Sequence, residues 1–346
     1  MRDASGSALF PFRRLRLSLC LIAAAGLLLA APRGRGSSPA AARVTRARYL
    51  MGTVLEIDAV GPGRDRLEAA IAEAFEEVAR TEARLSNWRP GSELSRANRA
   101  ASSEPLRLTP ETFFSLERAI ALSRETEGAF DPTVGGLTEA LGLTGRAPDP
   151  AGAELARGSI GWRGALLDPA SRTLRLSSSA AAIDSGAFGK GEALDRAIAR
   201  LSRRGAEAAR LNFGGQISLL GAETRAGRQA GWDRVAVAAP ESSRSETCRF
   251  RMRDGSVSTS GVSEKPGHLI DPRTGGAATF RGSVTVLAGT GLRADALSTA
   301  LFVLGPREGL DFANRRGIAA LFLVPSKAGW QLLATEGFPA CVPVNS

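Results

Sequence analysis

The sequence is poor in the side chains that most often carry chemistry near neutral pH. Its 346 residues include one histidine, three cysteines and one tyrosine. No Cys/His spacing suited to a metal exists. Lysine is scarce as well, at Lys190, Lys265 and Lys327 only, so the net charge of +10 is an arginine charge. That charge is also unevenly placed. Nine arginines and one acid precede Tyr49, so the leader carries +8 and the remainder about +2. The body has no basic stripe interleaved with aromatics, which argues against nucleic-acid binding. No internal repeat is present, and no Walker A loop, because no Gly-rich segment ends in Lys-Ser or Lys-Thr.

What is present begins with an export signal. Arg13, Arg14 and Arg16 precede an apolar run from Leu17 to Ala31, followed by Pro32, Arg33 and small residues. Fifteen residues is short for a membrane span. Residues 1–31 are therefore expected to be a signal peptide or an N-terminal anchor, 32–47 a flexible linker, and 48–346 the working domain. Beyond the leader, Cys248 and Cys341 remain and could pair in an oxidising compartment. No other stretch is apolar enough to cross a membrane.

The body alternates strand and helix patterns, which predicts a mixed α/β fold. Val54 to Val60 reads as a strand. Arg64 to Leu85 reads as a helix, with Leu67, Ile71, Phe75 and Val78 on one face. Thr109-Pro110-Glu111 starts a second helix that stops at Gly128. Residues 144–178 are expected to be loops and a short hairpin. Further strands are expected at 208–213, 234–238, 256–260, 283–287 and 319–324, and helices at 294–303 and 307–315.

The chain is organised around Ile183 to Arg196. An apolar run from Ala180 ends in Asp184, Gly186, Gly189 and Gly191 follow, and a helical pattern starts at once with Leu194, Ile198 and Leu201. Glycines let the main chain approach a ligand, and a helix N-terminus offers free N–H groups to an anion, with Lys190 as a nearby cation. Taken alone, the segment is equally an ordinary strand-to-helix turn.

Other small polar motifs sit at the junctions, in a definite order. They are Tyr49-Leu50-Met51-Gly52-Thr53, the segment Ser86 to Ser95 containing Asn87 and Trp88, and Gly128-Ala129-Phe130-Asp131-Pro132-Thr133. After the central stretch come Leu211-Asn212-Phe213-Gly214-Gly215-Gln216, Ser258-Thr259-Ser260-Gly261, His268-Leu269-Ile270-Asp271-Pro272-Arg273-Thr274-Gly275 and Ala294-Asp295-Ala296-Leu297-Ser298-Thr299. In this order they resemble the ApbE family of FAD:protein FMN transferases, over roughly Arg48 to Val324. The chain departs from that family's usual residues at Ser185, Phe188, Phe213 and Gln216.

The resemblance implies a mixed α/β protein with FAD held between subregions. It implies magnesium-dependent transfer of FMN from FAD to a threonine hydroxyl of a partner protein, with AMP leaving. By position, Met51, Trp88, Ala129, Phe130, Asp131, Asp184, Lys190 and Leu269 match FAD contacts. The Ala187 main-chain carbonyl and the side chains of Asp295 and Thr299 match the metal ligands. His268 matches the residue that helps activate the acceptor hydroxyl, with Asp184 the second acid–base candidate. The acceptor implied is a respiratory or redox subunit. FAD hydrolysis to FMN and AMP, or flavin binding without turnover, are the other readings.

The residue types suit that chemistry independently. A diphosphate attacked by a weak hydroxyl nucleophile needs charge neutralisation and in-line positioning. Hard oxygen ligands suit magnesium, and Asp295 and Thr299 stand i, i+4 on one helical face. The same pair could instead be a solvated or capping pair, Trp88 a core or rim aromatic, Asp131 a turn initiator before Pro132, and Arg273 a partner for a nearby carboxylate.

Overall fold

The computed structural model describes residues 41–145, 147–240, 242–261, 269–327 and 329–343. The chain opens with a hairpin of β1 (Ala41–Leu50) and β2 (Thr53–Pro62), joined by Met51 and Gly52. Both turn residues have positive φ, 47° and 78°, as a two-residue hairpin turn matched to strand twist requires. Helix α1 (Arg64–Leu85) follows, then α2 (Glu93–Ala100), β3 (Leu106–Arg107) and α3 (Pro110–Glu125). The Thr109 side chain caps α3 by accepting from the Thr112 N–H, with Pro110 at the first turn.

Next come α4 (Gly135–Ala140), α5 (Pro150–Arg157), β4 (Ala165–Asp168), β5 (Thr173–Leu176) and α6 (Gly189–Arg203). The second half contains β6 (Ala208–Phe213), β7 (Gln216–Leu220), α7 (Arg225–Ala230), β8 (Arg234–Ala239), β9 (Ser242–Arg251) and β10 (Gly255–Gly261). It closes with β11 (Ile270–Asp271), β12 (Gly276–Ala277), β13 (Ser283–Ala288), α8 (Gly291–Arg315), β14 (Ala319–Ser326), β15 (Gly329–Ala334) and β16 (Val342–Pro343).

Eight strands form one antiparallel sheet in the order β1-β2-β6-β7-β10-β13-β14-β15. The two-residue period of a strand sends alternate side chains to opposite faces. In β14, Ala320 and Phe322 join the core under α3 and α8, while Leu321 and Leu323 pack on the other side with Val235, Val237 and Phe250. That second side is covered by the small sheet β16-β9-β8, and Cys248 of β9 is disulfide-bonded to Cys341. On the helix side, α1 and α6 lie over β1, β2 and β6, burying Leu67, Ile71, Phe75, Leu194, Leu201 and Leu211.

Two expectations need correction. Residues 41–47 belong to β1, not to a flexible linker. Only Val44 of that strand is buried, and Arg43, Arg46 and Arg48 reach Asp58, Glu68 and Glu76, so its basic exterior hides its role. Residues 144–178 do contain the expected hairpin, β4 with β5, but also α5, capped by Asp149 with Pro150 in its first turn. The break foreseen between the last two helices is present inside α8, at Gly305 with φ 73° and Pro306.

Helices α6 and α8 meet at their N-termini through two glycines. A Cβ on Gly191 would run into the Gly291 carbonyl, and one on Gly291 would meet the Gly191 carbonyl oxygen at 2.5 Å. The Asp195 carboxylate of α6 ties the pair by accepting from the Gly291 and Leu292 N–H groups at 2.5 and 3.1 Å. Gly191→Ala is expected to destabilise the fold by roughly 1–3 kcal/mol, the usual range for an overpacked contact. Thermal melts check this, and an unchanged melting temperature would show the helices are not in contact there.

Candidate active site

The central stretch is held from both sides by polar side chains. Asn87 Nδ2 and Asn98 Nδ2 both donate to the Ile183 carbonyl, at 2.7 and 2.9 Å. Asn98 Oδ1 accepts from the Ile183 N–H, and Asn87 Oδ1 from the Ser185 N–H. The Ser185 hydroxyl donates to the Leu85 carbonyl at 2.7 Å, which accounts for a small polar residue at that position. On the other side, the Asp184 N–H donates to the Pro132 carbonyl at 2.6 Å. Asp184 therefore stands on a fixed backbone. Its carboxylate accepts from the Gly186 N–H at 2.8 Å and from the Thr138 hydroxyl at 3.1 Å.

This stretch forms one wall of a cleft of about 1160 Å³. Trp88, Ala129, Phe130, Asp131, Asp184, Ala187, Lys190, Leu269, Asp295 and Thr299 all line it. Residues predicted from five separate segments thus meet in one place. Their exposures differ. Trp88 is 64% exposed on the rim, so it is not a core residue, whereas Ala129 and Phe130 bury their side chains in the main core. Asp131 is buried and accepts from the Thr133 N–H, the Thr133 hydroxyl and the Trp162 N–H at 2.7–2.9 Å. Its turn-initiating role and its place in the cleft wall coexist.

Met51 is not among the cleft-lining residues. It sits behind the start of α6, where a Cβ on Gly189 would meet its Cε at 3.5 Å. His268 lies outside the described residues, although Leu269 beside it lines the cleft. Arg273 pairs with Asp271 and Glu308, the carboxylate-partner role.

Two of the three residues assigned to the metal, Asp295 and Thr299, stand on the N-terminal half of α8. Asp295 is buried, with Oδ2 3.4 Å from the Gly191 N–H and Oδ1 3.4 Å from the Ser258 hydroxyl. Thr299 Oγ1 lies 3.4 Å from Ser260 Oγ. Ala187, in the loop that leads into α6, lines the same cleft. No cluster of three or more His, Cys, Asp or Glu side chains is found among the described residues. The donors here are instead one carboxylate, one hydroxyl and a carbonyl, all hard oxygens. That set fits magnesium, which completes its shell with water and substrate phosphate. Lys190 and Arg210 line the same cleft and set two cations among its carboxylates.

Burial raises the pKa of Asp131, of Asp184 and of Asp195, the last to about 6. A carboxyl whose folded pKa is raised favours the fold when protonated. That stability is complete below roughly pH 4, the unfolded value, and is lost as pH climbs through the folded pKa. Glu73, lowered by its bond from Arg204, and Asp168, lowered by Ser171, act in the opposite sense below the ordinary carboxylate range. The melting temperature is therefore expected to fall between about pH 4 and 6, and Asp195→Asn to flatten that fall. Parallel melts of the parent and the variant across this range are the check. Identical slopes would assign the effect elsewhere.

Several groups that shape the site are not legible as functional in the sequence. Asn87, Asn98 and Thr138 act on residues 98, 85 and 46 positions away. Asn87 adjoins Trp88 in a noted motif, and that adjacency is the available signal. Thr138 carries none.

The fold matches the flavin transferase ApbE from Vibrio cholerae with a TM-score of 0.74 at 29% identity, covering 86% of this chain and 98% of that one. It matches the ApbE protein from Thermotoga maritima with a TM-score of 0.73 at 27% identity, covering 85% and 97%. The ApbE family model matches residues 51–322, and the chain belongs to the ApbE family. Among relatives named FAD:protein FMN transferase, that of Vibrio cholerae is 33% identical, with 92% of this chain and 97% of the relative aligned. That of Rhodobacter capsulatus is 32% identical over 96% of this chain, which spans 66% of the relative's length.

Proposed function

We propose that this chain transfers FMN from FAD to a threonine hydroxyl of a partner protein, releasing AMP, with magnesium required. The observation that carries the reading is convergence. All the residues assigned to FAD except Met51 line one cleft, together with Ala187, Asp295 and Thr299, which are assigned to the ion. In the transfer, the threonine oxygen bonds to the FMN phosphorus, the bond from that phosphorus to the bridging oxygen breaks so that this oxygen leaves with AMP, and the hydroxyl proton passes to a base. His268 is the proposed base, and Asp184 the nearby acid–base group.

The other roles follow from position. Trp88 at the rim offers a ring for the flavin or the adenine to stack on. Lys190, in the first turn of α6, would bring a cation to the phosphates. Asp184, locked by its hydrogen bonds, orients polar groups of the nucleotide. Asp295, Thr299 and the Ala187 carbonyl would hold magnesium, whose charge offsets that of the diphosphate as the leaving AMP forms.

We propose further that the precursor is exported and works at the periplasmic face of the inner membrane, associating with it through its N-terminus. The arginine-then-apolar leader supports this, and so does the Cys248–Cys341 disulfide, which persists in oxidising compartments. The acceptor proposed is a respiratory or redox subunit carrying its threonine in a short Gly/Ala/Ser/Thr-rich segment.

The deciding experiment incubates the protein with FAD, magnesium and an acceptor domain of that kind, then weighs the acceptor. A gain equal to one FMN less one water, lost on replacing the acceptor threonine by alanine, is expected. FMN and AMP accumulating with no gain in acceptor mass would replace transfer with hydrolysis. Bound but intact FAD would replace both with a carrier role.

A further inference from the structure

Gln216, the first residue of β7, is 3% exposed and lines the cleft. Its Nε2 donates to the Gly291 carbonyl at 2.9 Å, at the N-terminus of α8. Its Oε1 is buried and has no hydrogen-bond partner among the described residues. Turning the amide over does not help, because the oxygen would then face another acceptor, the Gly291 carbonyl. A buried carbonyl left unmatched costs about 1–3 kcal/mol, so a donor from outside the chain is called for.

The surroundings narrow the kind of donor. Strands β7 and β10 pair as far as Ile217 opposite Val257, and one further step in that register sets Gln216 opposite Ser258. The Ser258 hydroxyl is directed at Asp295 Oδ1, 3.4 Å away. On the other flank, Gly291 abuts Gly191, whose N–H points to Asp295 Oδ2. Gln216 thus lies beside one residue that reaches Asp295, Ser258, and is bonded to Gly291, which packs on a second, Gly191. Neighbouring hydroxyls are already committed. Ser218 donates to Ser256, Ser256 to the Ile217 carbonyl, and Ser298 to the Asp295 carbonyl. An anion cannot satisfy a carbonyl oxygen, whereas a hydrated cation can.

We propose that Gln216 Oε1 accepts a hydrogen bond from a water in the hydration shell of the cation held by Asp295 and Thr299. Gln216 thereby serves as an outer positioning residue of that site. Magnesium keeps several of its waters, and groups that bind such waters commonly contribute 10- to 100-fold in metal affinity. The inference rests on the magnesium reading given above.

The test is calorimetric titration of magnesium chloride into the full chain with FAD present, alongside thermal melts. Gln216→Met keeps the side-chain volume and removes both polar atoms, and is expected to weaken magnesium binding by roughly 10-fold or more. Gln216→Glu loses the donor to Gly291 but keeps an oxygen acceptor, and is expected to bind magnesium at least as tightly as the parent. Parent affinity in Gln216→Met overturns the proposal. So does an equal loss in both variants, which would make the bond to Gly291 the only role of the side chain. Should Gln216→Met fail to fold, Gln216→Glu decides by itself, and weakened binding there overturns the proposal. Asp295→Asn separates the two levels. Parent magnesium affinity in that variant defeats the metal reading, whereas its loss there combined with parent affinity in Gln216→Met defeats only the role of Gln216.

Discussion

Asp295→Asn is expected to abolish FMN transfer while much of the FAD binding survives. The substitution keeps the shape of a buried side chain on α8 and removes the only full negative charge among the proposed metal donors. On the proposed reading, flavin affinity should come from ring burial and from contacts at Trp88, Asp131, Asp184 and Leu269, whereas charge neutralisation at the diphosphate should be concentrated at the ion. Losing one preorganised electrostatic group of this kind typically costs about 10²–10³ in rate, and loss of the ion itself costs more. Acceptor mass after a timed reaction measures the first quantity, and flavin fluorescence the second. Full transfer by Asp295→Asn, or by the parent in excess chelator, would remove Asp295 from the mechanism.

His268→Ala is expected to lower transfer by roughly 10²–10⁴-fold, the usual contribution of a positioned general base. FAD should remain bound. Because only neutral imidazole can take the threonine proton, transfer by the parent should decline as pH drops and the ring becomes charged. His268→Asn should not restore the rate, since an amide hydrogen-bonds but does not accept the proton. With no second histidine in the chain, no other imidazole can substitute. Rate per folded molecule and melting temperature, measured on one His268→Ala preparation, separate a base from a structural histidine. A lowered melting temperature with a near-parent rate would transfer the task to the ion or to Asp184.

Elements that advertise themselves by periodicity and caps were readable in advance. Helix α1 repeats Leu67, Ile71, Phe75 and Val78 on one face, α3 starts at a Thr-Pro cap, and Gly305-Pro306 breaks α8. Strand β1 was not readable, because seven of its ten side chains are exposed and its arginines resemble a leader. Helix α5 was masked by its Gly, Pro and Ala content, although Asp149-Pro150 is a start signal. The order of the sheet could not be read either, since β6 and β7 insert between β2 and β10. Most of the candidate site was legible because each motif carries its own glycine, acid or aromatic in a definite order. Its supports were not. Asn87, Asn98 and Thr138 are ordinary polar residues until the fold brings them to Ile183 and Asp184. The unmatched oxygen of Gln216 emerges only when every buried donor and acceptor is accounted for.

The pairing of β2 with β6 has a consequence for how the protein is made. Val60 lies opposite Ala208, so the two strands join across most of the first half of the chain. Until Ala208 has left the ribosome, the β1–β2 hairpin carries an open edge, with Leu55, Ile57 and Ala59 lacking much of their cover. Such distant pairings close slowly, because the intervening loop entropy must be overcome first. A nascent chain in that condition stays threadable for a translocation channel, which suits the proposed export. It also means that translation products ending before Ala208 should be prone to aggregate through that edge.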